Sequence, residues 1–391
     1  MAHNAMGRLL CRQTTGIQQS INFIQRRSWS ARTVPSLAPT GSPELDETLL
    51  RFRDELFIPH SLHVNQRNLI YSSRHNNKLL SGHPIIVPIG KNEEPYRLRP
   101  ISFTSLPSRK QALRALALMH ETGNWSNLVL FLTGIYNSGR SLRNQDWEWL
   151  VRKVGGSDGF GALLMAAQQV ESTHLFLKDV SLVERLFFEL HLAGQRADFQ
   201  GPGVGKAHGF AKSFSLLLES PEHAVHELET DPRRSTLVIA TLLELSAARS
   251  LSQEGYNNIA EVESYARRLI ASLKTQNYSV QDKDWVARDQ LLQTLVPAYN
   301  GIKLAMQLED IASQQLGTQL KARMNELGTV IVNIKNSAPQ GVQEKPSVGL
   351  AQAQLLHQSF CLSIYYYYHT MYFILKDIMF ILLALNVEDI R

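Results

Sequence analysis

Cysteine is almost absent. Cys11 and Cys361 are the two in 391 residues, so a disulfide framework and any Cys-based zinc or iron–sulfur site are excluded. Acid is missing from residues 1–43, which hold no Asp or Glu but carry Arg8, Arg12, Arg26, Arg27 and Arg32. That segment also lacks an apolar run of about 7–15 residues, which argues against a secretory signal. Complete catalytic motifs are lacking as well. The glycine-rich run from Gly201 to Gly209 has Gln200 where a P-loop needs its first Gly, and Ala207 where it needs Ser or Thr. The phosphate cradle and the magnesium hydroxyl are therefore both missing, and the run reads as a flexible inter-helix loop. The glycines from Gly155 to Gly161 have no strand before them, as a dinucleotide fingerprint requires. His223 and His226 with Glu227 do not form the His-Glu-x-x-His pattern of zinc proteases. His60, His63, His75 and His83 have no Cys or ordered acidic partners to complete a metal site. The expectation is a non-enzymatic chain without cofactor or metal.

What is present begins with a destination. On a helix, Leu10, Ile17, Ile21 and Ile24 share one face, while Arg8, Arg12 and Arg26 share the opposite one. A cationic, acid-free amphipathic helix has the composition of a mitochondrial transit peptide, and Arg26-Arg27-Ser28-Trp29-Ser30-Ala31 resembles a processing site. Residues 1–43 are read as presequence and linker. The chain has 40 Lys and Arg against 35 Asp and Glu, and the five arginines of this segment account for the whole excess. The basic isoelectric point is thus an import feature and not an argument for nucleic acid.

The neutral remainder is uneven. Residues 51–114 carry 11 basic and 4 acidic side chains, whereas residues 115–391 carry 24 and 28. Residues 44–57 predict a short amphipathic helix led by Glu44, Asp46 and Glu47. Beyond it, Pro59, Pro84, Pro88, Pro95, Pro100 and Pro107 interrupt the pattern, and only Ile85-Ile86-Val87 suggests a strand. Residues 44–107 are read as an irregular basic arm. Arg97, Arg99, Arg109, Lys110 and Arg114 are the candidate contacts to RNA or anionic lipid, with solvated surface cations as the alternative.

From Ser108 the pattern turns helical. Ser108 with Gln111 forms a capping-box signature. Apolar stripes then recur at helical spacing over 125–136, 144–154, 162–170, 181–192, 207–218, 233–248, 259–273, 285–295 and 299–334. Trp125, Trp147, Trp149 and Trp285 fall within these patterns and read as packing residues. The fold class expected is mainly α: an irregular helical-hairpin, α-solenoid-like domain over 108–335.

The passage from Val183 to Asp198 (VERLFFELHLAGQRAD) resembles the second helix of a pentatricopeptide repeat and its turn, and Leu128 to Leu142 is distantly similar. Gly139 and Gly194 lie 55 residues apart, which departs from the spacing of about 34 residues in related tetratricopeptide repeats. The resemblance, to pentatricopeptide- and tetratricopeptide-like mitochondrial proteins, implies stacked helical hairpins. Residues 336–357 read as a linker. Residues 358–391 form a hydrophobic tail with Tyr365 to Tyr368 in succession. Its length suits a membrane span, yet Lys376 and Asp377 lie within it, each costing about 2.5–3.5 kcal/mol at a bilayer centre. A buried terminal helix and a non-native reading frame are the other readings.

Two functions follow as expectations. The first is an RNA- or ribosome-associated factor in mitochondrial gene expression, located in the matrix. The second is an inner-membrane-associated scaffold or assembly factor for a respiratory complex.

Overall fold

The computed structural model describes residues 34–356 apart from 82, 91–93, 253–257, 276–277 and 279–283. The presequence reading over 1–33 and the tail reading over 358–391 lie outside the described residues. The fold is mainly α, as expected. Its longer helices are α1 (Pro43–Phe52), α2 (Val64–Tyr71), α3 (Arg109–Glu121), α4 (Leu128–Asn137), α5 (Asn144–Gly155), α6 (Phe160–Gln168) and α7 (Val180–Arg196). They continue with α8 (Gly201–Leu217), α9 (Thr236–Ser252), α10 (Ile259–Thr275), α11 (Trp285–Ala305), α12 (Gln315–Asn336) and α13 over 348–356. One antiparallel hairpin, β1 (Ile86–Ile89) and β2 (Glu94–Arg97), pairs Ile86 with Arg97 and Ile89 with Glu94.

The architecture turns on α9. Every residue from Thr236 to Ala248 is buried, which suits a helix that is apolar all round. Val238, Leu242 and Leu245 join a core built from α1 and α3–α8. Ile239, Ala240, Leu243 and Ala247 join a second core built from α10–α13. Opposite α9, Gly301 of α11 faces the Glu244 amide and the Ala240 carbonyl, where an added Cβ would lie 3.1 and 3.2 Å away. The missing side chain lets the two backbones approach.

Residues 58–107 are more ordered than the irregular arm expected from their prolines. Ile58, Leu62, Ile70, Leu79, Val87, Ile89 and Leu98 bury one another in a small third core. The elements are only three to eight residues long, so local periodicity is too brief to announce them. After α1 the chain continues through a π-helical turn, Arg53–Phe57, into Ile58–Ser61. Pro59 has no N–H and its ring would crowd the carbonyl four residues back, and the turn before it widens so that the Ile58 amide donates to the Arg53 carbonyl. The position-107 boundary does not divide the packing either, because Leu45, Leu49, Phe52, Leu56 and Phe57 belong to the first core.

Three further segments differ from the sequence reading. The glycine-rich run expected as a loop is the first half of α8, with Pro202 in its first turn. Val204, Ala207, His208, Ala211 and Phe214 are its buried stripe, and tertiary packing overrides the poor helix propensity of glycine. The helix expected over 285–295 runs on to Ala305 through the buried Pro297. The stretch expected over 299–334 is instead broken between Ala305 and Gln315, where Ile311 is fully buried. The break lets α12 fold back onto α11.

The linker expected over 336–357 contains α13, whose Leu350 and Ala353 enter the second core. Asp289 of α11 anchors it by accepting from the Leu350 amide (3.1 Å) and the Ser347 hydroxyl (2.5 Å).

His223 illustrates how the loops are fixed. It is 2% exposed. Its Nδ1 accepts from the Leu177 amide at 3.1 Å, and its Nε2 donates to the Ala167 carbonyl at 3.0 Å. That pair of roles requires the neutral ring. Burial pushes its pKa below the ordinary 6.5, and Lys178 adds to this, against the Ala167 bond and Glu222. As pH falls below 6.5, the unfolded chain gains a proton that the native ring resists, so this contribution to stability declines. In urea unfolding, the stability gap between wild type and His223→Gln is expected to narrow from pH 7.5 to 5.5. The slope can reach about 1.4 kcal/mol per pH unit. A gap that widens would contradict the assignment.

Candidate functional site

The five cations singled out in the sequence differ in their partners. Arg109 and Arg114 of α3 serve the fold. Arg109 makes a bidentate bridge to Asp146 of α5, Nε at 2.7 Å and Nη2 at 2.5 Å. Asp146 also caps α5 by accepting from the Arg143 amide at 2.9 Å. Burial pushes the Asp146 carboxyl up, but the Arg109 and Arg143 bonds outweigh it and hold the group below the usual range. Arg114 pairs with Glu44 of α1 at 3.1 Å and Glu121 at 3.0 Å. Lys110 is exposed and has no ion-pair partner among the described residues. Arg97 and Arg99 are exposed beside a cleft of about 550 Å³ lined also by Leu79, Leu80 and Pro100.

This division predicts a difference. Asp146→Ala removes a cap and strands Arg109, and is expected to cost about 1–2 kcal/mol of stability. Arg97→Ala, which removes no ion pair of the described chain, is expected to leave the melting temperature unchanged. Thermal unfolding of both variants decides; equal losses would refute the division.

A second basic cluster escaped the sequence reading. Arg67 of α2 and Arg140, in the turn after α4, both bear on His60 and on Tyr71. Burial pushes the His60 pKa down, and the two arginines push it further the same way. Arg140 donates to the Pro107 carbonyl. The Tyr71 ring stacks on Phe103, centroids 4.5 Å apart and planes 16° off parallel, while Phe103 remains 67% exposed. The loop presenting Phe103 is braced by the Ile101 amide on the Ile70 carbonyl (2.9 Å) and the Ser105 hydroxyl on the Ser102 carbonyl (2.8 Å). Residues 60, 67, 103 and 140 lie in four segments, so no spacing rule joins them. The one sequence signal is a bulky aromatic, Phe103, amid Ser, Thr and Pro.

Deeper in the body, His191, Glu244, Asn300 and Gln352 form a buried polar network. His191 Nδ1 lies 2.6 Å from Glu244 Oε2, and Asn300 Nδ2 donates to Glu244 Oε1 at 2.7 Å. Gln352 Oε1 faces His191 Nε2 at 3.4 Å. Burial pushes the Glu244 carboxyl up, against the pull of His191 and Asn300. Its members come from α7, α9, α11 and α13, so it pins four helices. Among the described residues no group of three or more His, Cys, Asp or Glu could hold a metal ion, and no helix is long and apolar enough to cross a membrane.

The family model for Mitochondrial ribosomal protein mS27 matches residues 22–356. The chain belongs to that family. A relative from Neurospora crassa, "Small ribosomal subunit protein mS27", is 23% identical over 288 residues, covering 68% of this chain and 72% of its own. The mS27 family assignment makes this a mitochondrial protein that associates with the ribosome, which fits the first of the two expected functions. The matched stretch takes in the first core, the second core and the N-terminal hairpin together, and it stops before the hydrophobic tail.

Proposed function

We propose that this mS27-family chain is a non-enzymatic component of the small subunit of the mitochondrial ribosome. In this reading its helical body is a scaffold and its basic N-terminal segment faces the rest of the particle. The family match over nearly the whole described chain carries the reading, and the name of the Neurospora relative supplies the subunit. The charge layout supports it, since residues 51–114 carry 11 basic and 4 acidic side chains whereas residues 115–391 carry 24 and 28. Arg97, Arg99 and Lys110 are the proposed RNA contacts among the original five; Arg109 and Arg114 position α3 against α5 and α1.

The repeat-like character belongs to the same proposal. α7 and α8 pack on each other across the short turn after Arg196, as helices joined by short turns do in hairpin arrays. The domain division at 44, 108 and 336 is kept only as an import segment, a basic front and a helical body. Sedimentation of mitochondrial lysate on a sucrose gradient tests the function. The chain should travel with the small subunit and return to it when subunits are separated by magnesium depletion; recovery wholly in ribosome-free fractions would sink the proposal.

A further inference from the structure

The geometry points to a site for single-stranded RNA on the N-terminal segment, in which Arg67 and Arg140 bind backbone phosphate and the free face of Phe103 stacks on a base. The inference rests on the ribosomal reading and gives it a specific contact. Three observations carry it. Arg67 of α2 and Arg140 of the turn after α4 both act on His60, a Cβ added at Gly139 beside Arg140 would lie 3.8 Å from the His60 Nε2, and neither guanidinium has an ion-paired carboxylate among the described residues. Two uncompensated guanidiniums cost less beside an anion than beside each other, and their planar donors suit phosphate. Phe103 is 67% exposed yet ordered by its stack on Tyr71. An exposed aromatic held flat costs little entropy to engage, and base stacking is tolerant of sequence. Finally, the Arg140 bond to the Pro107 carbonyl joins the α4 turn to the loop that carries Phe103, so cations and ring are preset relative to one another.

The neutral His60 fits the same picture. Burial first, then Arg67 and Arg140, lower its pKa, and an arriving phosphate would offset the arginines' share of that shift. An acidic protein segment would satisfy the arginines but brings no planar base to stack on the aromatic face. A single strand uses both, because its unstacked bases are available.

The test uses the purified full chain and a fluorescein-labelled single-stranded RNA of mixed sequence, titrated between about 50 and 200 mM salt. Arg67→Gln/Arg140→Gln should weaken binding about tenfold and lower the log–log salt slope by ~1.4, two phosphate contacts' worth. Phe103→Ala should weaken it roughly 5- to 100-fold with the slope kept. Arg67→Lys/Arg140→Lys should restore the slope, and circular dichroism should match wild type throughout. Unchanged slope and affinity in both variants overturns the site.

Photocrosslinking of intact mitochondrial ribosomes provides the second arm, expected to place a nucleotide on the peptide holding Phe103. If the chain sediments with the small subunit but its nucleotide adducts lie elsewhere, the site is refuted and the ribosomal function stands. If Arg67→Glu/Arg140→Glu abolishes assembly with no adduct anywhere in 58–107, the partner is an acidic protein and the RNA site is again refuted. Absence from the ribosome overturns the function itself, a result the sedimentation experiment reads independently.

Discussion

His191→Ala is expected to lower the unfolding free energy by about 3–5 kcal/mol, because it strips a hydrogen-bond partner from a buried carboxyl and opens a void. Glu244 is fully buried, with His191 at 2.6 Å and Asn300 at 2.7 Å as its partners. Removing the imidazole leaves the carboxyl with the Asn300 amide alone and opens a void between α7 and α9. Gln352 loses its neighbour too, which loosens α13. Glu244→Gln keeps the shape and an acceptor, so it should cost less than half as much. The double replacement His191→Leu/Glu244→Leu should be less damaging than His191→Ala, because no polar atom of the pair is left stranded. Urea unfolding followed by circular dichroism measures all three. A double variant worse than the single would show that the network does more than satisfy itself.

The second large effect lies at the join between the N-terminal segment and the body. Phe131 of α4 is fully buried, with Phe52 5.0 Å and Phe57 6.0 Å away, both in edge-on contact. Phe131→Ala should cost about 3–5 kcal/mol. The loss should be felt locally as well, as faster protease cleavage within 58–107, because those rings hold that segment down. Gly134, one turn further along α4, is part of the same joint: a Cβ there would lie 2.6 Å from the Phe57 ring. Gly134→Ala should therefore cost about 1–3 kcal/mol by overpacking. Stability of Phe131→Ala within 1 kcal/mol of wild type would contradict the clamp.

The sequence made the long helices readable and left the short ones opaque, for physical reasons that differ by segment. Ser108 and Gln111 predict a capping box, and the Ser108 amide does donate to Gln111 Oε1 at 2.7 Å. Val183, Leu186, Phe187 and Leu190 are spaced for one face and all are buried. By contrast Ile58, Ile70, Leu79 and Leu98 find one another across turns that no local period encodes. The run from Gly201 to Gly209 failed for another reason. Its residues disfavour an isolated helix, and only the surfaces of α7 and α9 make one worthwhile. The site was less legible still. Charge density along the chain marks five cations alike, whereas the structure pairs Arg109 with Asp146 and Arg114 with Glu44 and Glu121. Arg67 and Arg140 are 73 positions apart and are related only through His60, which follows the Phe57 ring packed on Phe131.

The position of α9 in the chain has a consequence for how the protein reaches its folded state. A polypeptide delivered N-terminus first has α1 through α8 in hand before Thr236 arrives, yet the wall that closes their core is Val238, Leu242 and Leu245. Until then that apolar surface has nothing of its own chain to lie against. The first half of the molecule thus waits for the middle, and the middle is held on its other side by a half not yet delivered. Such a chain gains its native packing late and nearly all at once, and any truncation between Leu217 and Thr236 would leave a product in need of a chaperone.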